Sequence, residues 1–265
     1  MSRIADVFKP GYKALIAYIT AGYPGQKATI DIAQTLADGG CDIIELGIPF
    51  SDPLADGATI QKASYEALKQ GVTPDTCLEM ASEIRKNIAT PLVFMTYYNP
   101  VLNYGLNTFC KKCVKAGIDG LIVPDLPPEE GLELETITRK NGLDLIYLLA
   151  PTSTDNRINI VASSSRGFIY LVSLTGVTGA RDTLSPDLAR FVERVREKTN
   201  LPLCVGFGIS KAEHARQAAS LADGVIIGSR LIQLIEEDAT LASLKQFIYD
   251  IREELDMRKT PGGID

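Results

Sequence analysis

Eight short apolar segments, spread through 265 residues and separated by helical patterns, predict an α/β fold: a (β/α)8 barrel. The segments are 14–19, 43–46, 92–96, 121–123, 145–149, 168–172, 203–206 and 225–227. A doubly wound open sheet shows the same alternation and is the rival. Two further observations favour the barrel. The count closes at eight in about 250 residues, and no GxGxxG follows the first segment.

Taken in order, the chain opens with a short helical stretch, 4–8, outside the alternation. Segment 14–19 (ALIAYI) is apolar throughout, as a strand buried on both faces reads. Helix 29–38 follows, with Gly39 placed to end it. Segment 43–46 (IIEL) holds one charge, Glu45, among aliphatics, and Gly47 and Pro49 stop it. The next loop holds Asp52 and Asp56; Gly57 ends it and a helix starts near Ala58. A second extra helix, 74–87, comes before segment 92–96. Helices 108–116, closed by Gly117, and 129–140 flank segment 121–123. After 145–149 and 168–172 comes a glycine-bearing loop, GVTGARDTL, and then helix 187–198. Segment 203–206 runs into GFGIS, where Ser210 is expected to cap helix 211–221, with Glu213 completing a capping box. The last segment, 225–227, ends IIGS, and a third extra helix, 241–255, closes the chain. No low-complexity linker divides the sequence, so a single domain over 1–265 is expected.

Composition narrows the function classes. Acidic residues outnumber basic ones, 33 to 27, for a net charge of −6, and no Lys/Arg run appears, so nucleic acid is not an expected partner. No apolar run approaches the ~20 residues of a membrane span, and the N-terminus lacks a signal-peptide h-region. The expectation is a cytoplasmic protein with no membrane partner. Five scattered cysteines argue against a disulfide framework. Cys110 and Cys113 form one CxxC, but with a single histidine, His214, a zinc site lacks ligands. That histidine lies in a polar helical stretch, which speaks against Ser-His-Asp chemistry. No metal and no organic cofactor are expected.

In a (β/α)8 barrel the active site forms at the C-terminal ends of the strands. Those ends carry Tyr18, Glu45 with the acidic loop, Thr96 to Asn99, Asp125, Tyr170, Gly206 to Ser210, and Gly228 with Ser229. A carboxylate inside an apolar strand is costly unless satisfied or used. Glu45 is thus either a functional acid or a core glutamate paired with Tyr, Ser or Arg. Gly206, Gly208 and Gly228 let backbone amides approach a ligand, and Ser210 and Ser229 open helices whose N-termini attract anions. Gly179 in the strand-six loop could add another amide. The alternative is that these are ordinary turn glycines; two such motifs at consecutive late strands favour a phosphate site. Two carboxylates, Glu45 and Asp56, opposite a phosphate anchor suit proton transfer on a small phosphorylated substrate. No lysine stands at a predicted strand end for a Schiff base. A lyase or isomerase working through carboxylates remains.

ELGIPFSDPLADGATIQ at 45–61 resembles the signature of the tryptophan synthase alpha subunit family. AYITAGYP, MTYYNPVLNYG, VPDLPPEE, YLVSLTGVTGAR, GFGIS and IIGSRLI follow in the family's order, so the resemblance covers the whole chain. It implies a (β/α)8 barrel that cleaves indole-3-glycerol phosphate to indole and glyceraldehyde 3-phosphate without metal or cofactor. It also implies a pyridoxal-phosphate beta subunit as partner in an αββα complex. Contacts would come from the loops near Asp52, Asn99 and Pro127, and indole would pass to the partner. Glu45 matches the family's general acid/base and Asp56 the acid that holds the indole N–H. Tyr170 matches a residue beside that glutamate. Tyr18 stands where the family commonly has Phe against the indole, and Thr178 lies in the loop that closes over substrate. Gly179, Gly208, Gly228 and Ser229 match the phosphate cradle, with Gly206 and Ser210 beside it.

Two departures stand out: Leu174, where the family often has Arg or a small polar residue, and the hydroxyl that Tyr18 adds. A stand-alone indole-3-glycerol phosphate lyase would share these motifs. A non-catalytic activator of a beta subunit would need neither carboxylate, and a sugar-phosphate isomerase lacks the ADG loop.

Overall fold

Among the described residues, nine parallel strands form one sheet that curls into a nearly closed barrel. The structure is a computed structural model and describes residues 2–172, 186–206 and 208–257. After a 3-10 turn, Ala5–Val7, come β1 (Ala14–Thr20), α1 (Gln26–Asp38), β2 (Ile43–Gly47), α2 (Ala58–Lys69) and α3 (Pro74–Asn87). Next are β3 (Leu92–Met95), α4 (Tyr98–Tyr104), α5 (Leu106–Ala116), β4 (Gly120–Ile122), α6 (Leu132–Asn141), β5 (Asp144–Ile146) and β6 (Leu148–Leu149). The chain continues through α7 (Asp155–Ser164), β7 (Ile169–Val172), α8 (Pro186–Arg196), β8 (Leu203–Gly206) and α9 (Ala212–Leu221). It ends with β9 (Gly224–Ile227), α10 (Ser229–Glu237) and α11 (Ala242–Asp256).

The sheet order is β5-β4-β3-β2-β1-β9-β8-β7-β6, so its two edges are the halves of one expected strand, 145–149. Tyr147 breaks that strand. Its amide goes to the Ser165 hydroxyl at 3.0 Å instead of a strand partner, while its carbonyl accepts the Tyr170 N–H at 3.0 Å. Its own hydroxyl donates to Glu135 on α6 at 2.8 Å. Side-chain bonding on both flanks diverts the backbone at this one residue.

Strand alternation sorts the core into layers. One residue per barrel position makes an inner layer: Ile16, Ile43, Val93, Ile122, Ile146, Phe168, Cys204 and Ile226. Ile4, Val7 and Phe8 of the N-terminal turn close that layer from below, with the Phe8 and Phe168 rings 6.0 Å apart. The odd residues of β1, such as Leu15 and Ile19, belong instead to the larger core beneath the helices. Two residues beyond the inner layer, the same inward rows reach Tyr18, Glu45, Met95, Leu148, Tyr170, Gly206 and Gly228. That next layer is the floor of the mouth.

Some helices carry the expected end signals and one does not. The helix 74–87 is present as α3, capped by a reciprocal Thr73–Thr76 box with Pro74 at its first position. Gly117 ends α5 in the left-handed region at φ 82°. Ser210, however, does not cap α9: Lys211 is the N-cap residue and no side chain caps that helix. The helix starts one residue later than expected, and the Ser210 hydroxyl stands 3.5 Å from His214 Nδ1. All five cysteines are buried and free, including both of the CxxC pair on α5. No helix among the described residues is long and apolar enough to cross a membrane.

Candidate active site

Glu45 sits on β2 in the inward row, opposite Tyr18 on β1 and Val93 on β3. It is fully buried, and among the described residues neither carboxylate oxygen has a hydrogen-bond partner. Burial alone pushes its carboxyl up to about 8. The core-glutamate alternative requires a Tyr, Ser or Arg partner, and the described residues provide none. A neutral acid at neutral pH is thereby ready to give a proton.

Asp56 comes from the loop between β2 and α2. A turn closed by the Asp56 amide on the Pro53 carbonyl, 3.1 Å, brings it back over the mouth. Gln61 on α2 donates to the Asp56 carbonyl at 2.9 Å, and Tyr97 accepts the Ala55 N–H at 2.9 Å. Asp56 is half-buried; burial raises its carboxyl to about 6, with the Tyr97 hydroxyl pulling the other way. The third acid, Asp52, is exposed and takes a hydrogen bond from Ser51.

Tyr18 and Tyr170 complete the floor. The Tyr18 ring lies over Gly47 and Gly228, and a Cβ on Gly47 would collide with its hydroxyl. A Cβ on Gly206 would stand 2.6 Å from the Tyr170 hydroxyl. Both phenols are pushed far up, first by burial. Asp56 adds most to Tyr18 after that, and Glu45 adds most to Tyr170. The two carboxylates and two phenols therefore share one electrostatic neighbourhood. Thr20, the next inward residue of β1, is buried with its hydroxyl beside the Tyr18 phenol.

The glycine motifs meet beside this group. Gly206 pairs in register with Ile226, so the loops after β8 and β9 are neighbours. Gly228 is the N-cap residue of α10 and Ser229 its first residue, with no side chain capping the helix. Gly208, Ser210 and Ser229 are exposed to the mouth's solvent side. The Gly228 position stands 3.3 Å, measured from an added Cβ, from the Tyr18 ring, so the cradle adjoins the aromatic floor. Thr178, Gly179 and Leu174 lie outside the described residues. Among the described residues, no three His, Cys, Asp or Glu side chains are placed to hold a metal ion.

Comparison with known proteins covers nearly the whole chain. The family described as tryptophan synthase alpha chain matches residues 4–258. The chain belongs to the tryptophan synthase alpha chain family. A relative from Dehalococcoides mccartyi with that name is 56% identical over 256 residues, 97% of this chain and all of that one. One from Roseiflexus sp. is 50% identical over 242 residues, 89% of this chain and 93% of that one. The crystal structure of tryptophan synthase subunit alpha from Legionella pneumophila superposes with a TM-score of 0.89 at 37% identity, over 97% of this chain and 99% of that one. The chain is accordingly a lyase of the tryptophan synthase reaction, in tryptophan biosynthesis.

On this alpha-chain barrel, Tyr97 and Thr20 join the site with no motif to mark them. Their sign in the sequence is their place in the inward rows at the C-terminal ends of β1 and β3. The same face carries exposed leucines on three successive connections: Leu54 (93% exposed), Leu102 (49%) and Leu132 (73%).

Proposed function

We propose that the chain cleaves indole-3-glycerol phosphate to indole and glyceraldehyde 3-phosphate by a retro-aldol reaction. The observation that carries the proposal is Glu45: a fully buried carboxyl with both oxygens unpartnered, sharing its neighbourhood with Asp56. Between pH 6 and 8, Asp56 is ionised and Glu45 protonated, as their carboxyls at about 6 and about 8 require. Two acids held apart in this way take opposite roles.

Glu45 gives its proton to the indole ring carbon that bears the glycerol chain. Positive charge then develops at the ring nitrogen, where the Asp56 carboxylate accepts the N–H hydrogen bond and stabilises it. Glu45, now a carboxylate, removes the proton from the side-chain hydroxyl next to the ring. The carbon–carbon bond breaks, its electrons return to the ring nitrogen, and a carbonyl forms on the departing triose phosphate. Glu45 ends protonated, as it began. Tyr18 and Tyr170 pack against the indole. Gly206, Gly208, Ser210, Gly228 and Ser229 hold the phosphate through backbone amides at the start of α10 and neighbouring loops. Thr178 and Gly179 would complete the closed site from the strand-six loop.

The partner we infer is a tryptophan synthase beta subunit in a cytoplasmic αββα complex that receives the indole. The exposed Leu54, Leu102 and Leu132 support it. They lie on the loops and helices near Asp52, Asn99 and Pro127, the segments expected to make that contact. Indole release by the purified chain, alone and with a beta subunit, tests the reading. Slow release that rises sharply with the partner is the expected result. Fast release alone would replace it with a stand-alone lyase, and no release in either case would overturn it.

A further inference from the structure

We propose that Tyr97 is the positioning residue for Asp56: its hydroxyl fixes where the loop after β2 holds that carboxylate in the mouth. The proposal rests on the role given to Asp56 above. Tyr97 lies two residues beyond β3 and is buried, 6% exposed. Three attachments meet there. Its hydroxyl oxygen accepts the Ala55 N–H at 2.9 Å. Having accepted one bond, the phenol keeps its own proton to give, and that proton faces the Asp56 carboxylate. Its ring stacks on Phe50, with centroids 5.1 Å apart and planes 29° from parallel. One side chain thus grips the loop at its beginning and near its end.

The loop's other anchor, Gln61 of α2, donates at 2.9 Å to the Asp56 carbonyl and not to its carboxylate. Leu54 is 93% exposed, and nothing lies within 4 Å of where a Cβ on Gly57 would stand. Tyr97 itself is anchored from the other side. The adjacent Tyr98 amide donates to the Asp125 carboxylate at 2.8 Å, tying the start of α4 to the loop after β4. The Asp56 backbone is thus held by Gln61 and the Pro53 turn, while a barrel-borne phenol faces its carboxylate. The same hydroxyl opposes the upward push of burial on the Asp56 carboxyl.

Tyr97→Phe keeps the ring stack and removes only the hydroxyl. The expected result is a fall in kcat of about tenfold to a hundredfold, the range for a lost hydrogen bond to a charged group. The acid limb of the kcat/KM profile moves to higher pH, because Asp56 loses a donor that favours its ionised form. Phe50→Leu, which retains the hydroxyl, leaves that limb in place. Wild-type turnover and an unmoved limb in Tyr97→Phe would overturn the proposal. So would a loss of turnover that tracks the thermal midpoint while the limb stays put, since packing alone explains that. Asp56→Asn is measured alongside. If it is slow while Tyr97→Phe is fast, only the positioning claim fails. If Asp56→Asn itself turns over normally, the role of Asp56 fails and Tyr97 falls with it.

Discussion

The two ends of the barrel treat carboxylates in opposite ways. At the N-terminal rim, three aspartates each stand one residue before a strand and accept a backbone N–H from the neighbouring strand. Asp42 takes the Leu15 amide at 2.8 Å, Asp119 the Leu92 amide at 2.9 Å, and Asp223 the Leu203 amide at 2.8 Å. Each also meets an arginine from an outer helix: Arg252 of α11, Arg85 of α3 and Arg196 of α8. Each device ties two strands to a helix. At the C-terminal mouth, Glu45 is buried more completely than any of these and has no hydrogen-bond partner among the described residues. Stability wants every buried charge answered. The mouth leaves one buried carboxyl unanswered among the described residues, and in the proposed reaction the substrate answers it. Fold stability and chemistry are thus separated along the barrel axis.

That contrast can be broken or sharpened from either end. Glu45→Gln keeps size and burial but cannot cycle a proton, so lyase turnover falls by about 10³-fold with the barrel intact. Substantial residual turnover would remove Glu45 from the chemistry. Arg85→Ala should do the reverse. It strips a largely buried partner from Asp119 and also the donor to the Gly117, Ile88 and Thr90 carbonyls. Urea melts should show a loss of about 3 kcal/mol, with kcat unchanged in the folded enzyme. A large change in kcat would mean the two ends are coupled.

A pH dependence of stability joins the two ends. Glu45 has its folded carboxyl at about 8, above its ordinary value near 4.5, so the folded state holds the proton more tightly than the unfolded chain. Its relative contribution is fully favourable below pH 4.5 and is lost as pH rises through 8. Glu45→Gln escapes that loss. The variant should come close to the wild type at pH 5 and exceed it by about 4 kcal/mol at pH 9. Equal stability at pH 9 would mean that Glu45 finds a partner when ionised.

Much of this was legible in the sequence, for physical reasons particular to each element. β1 and β2 read as buried strands because every residue but one is uncharged, and Glu45 stood out as that exception. The start of α2 was fixed by Gly57 and Ala58, and α3 by its proline at the first helical position. The broken fifth strand was not legible. LIYLL reads as continuous apolar strand, and the break comes from Ser165 and Glu135, both distant in sequence from the residues they redirect. Two helices also escaped. Tyr98–Tyr104 carries a proline and aromatics that do not read as helix, though Pro100 falls in the first turn, where it costs no hydrogen bond. Asp155–Ser164 is short and rich in β-branched residues, with only Ile158 and Val161 buried; its Thr154 cap was the missed signal. The Ser210 cap failed by one residue because Lys211 adopts the extended N-cap conformation itself. In the site, the glycines and carboxylates announced themselves by type. Tyr97 did not, because its importance lies in what it touches across two loops.

The most direct test of the contrast is the pH dependence of kcat/KM for the free enzyme. An unanswered Glu45 and a half-buried Asp56 predict a bell, with an acid limb near 6 from Asp56 and a basic limb near 8 from Glu45. Limbs in the ordinary carboxylate range near 4, or a rate flat from pH 5 to 9, would contradict it. The mouth would then answer its acids as fully as the rim does.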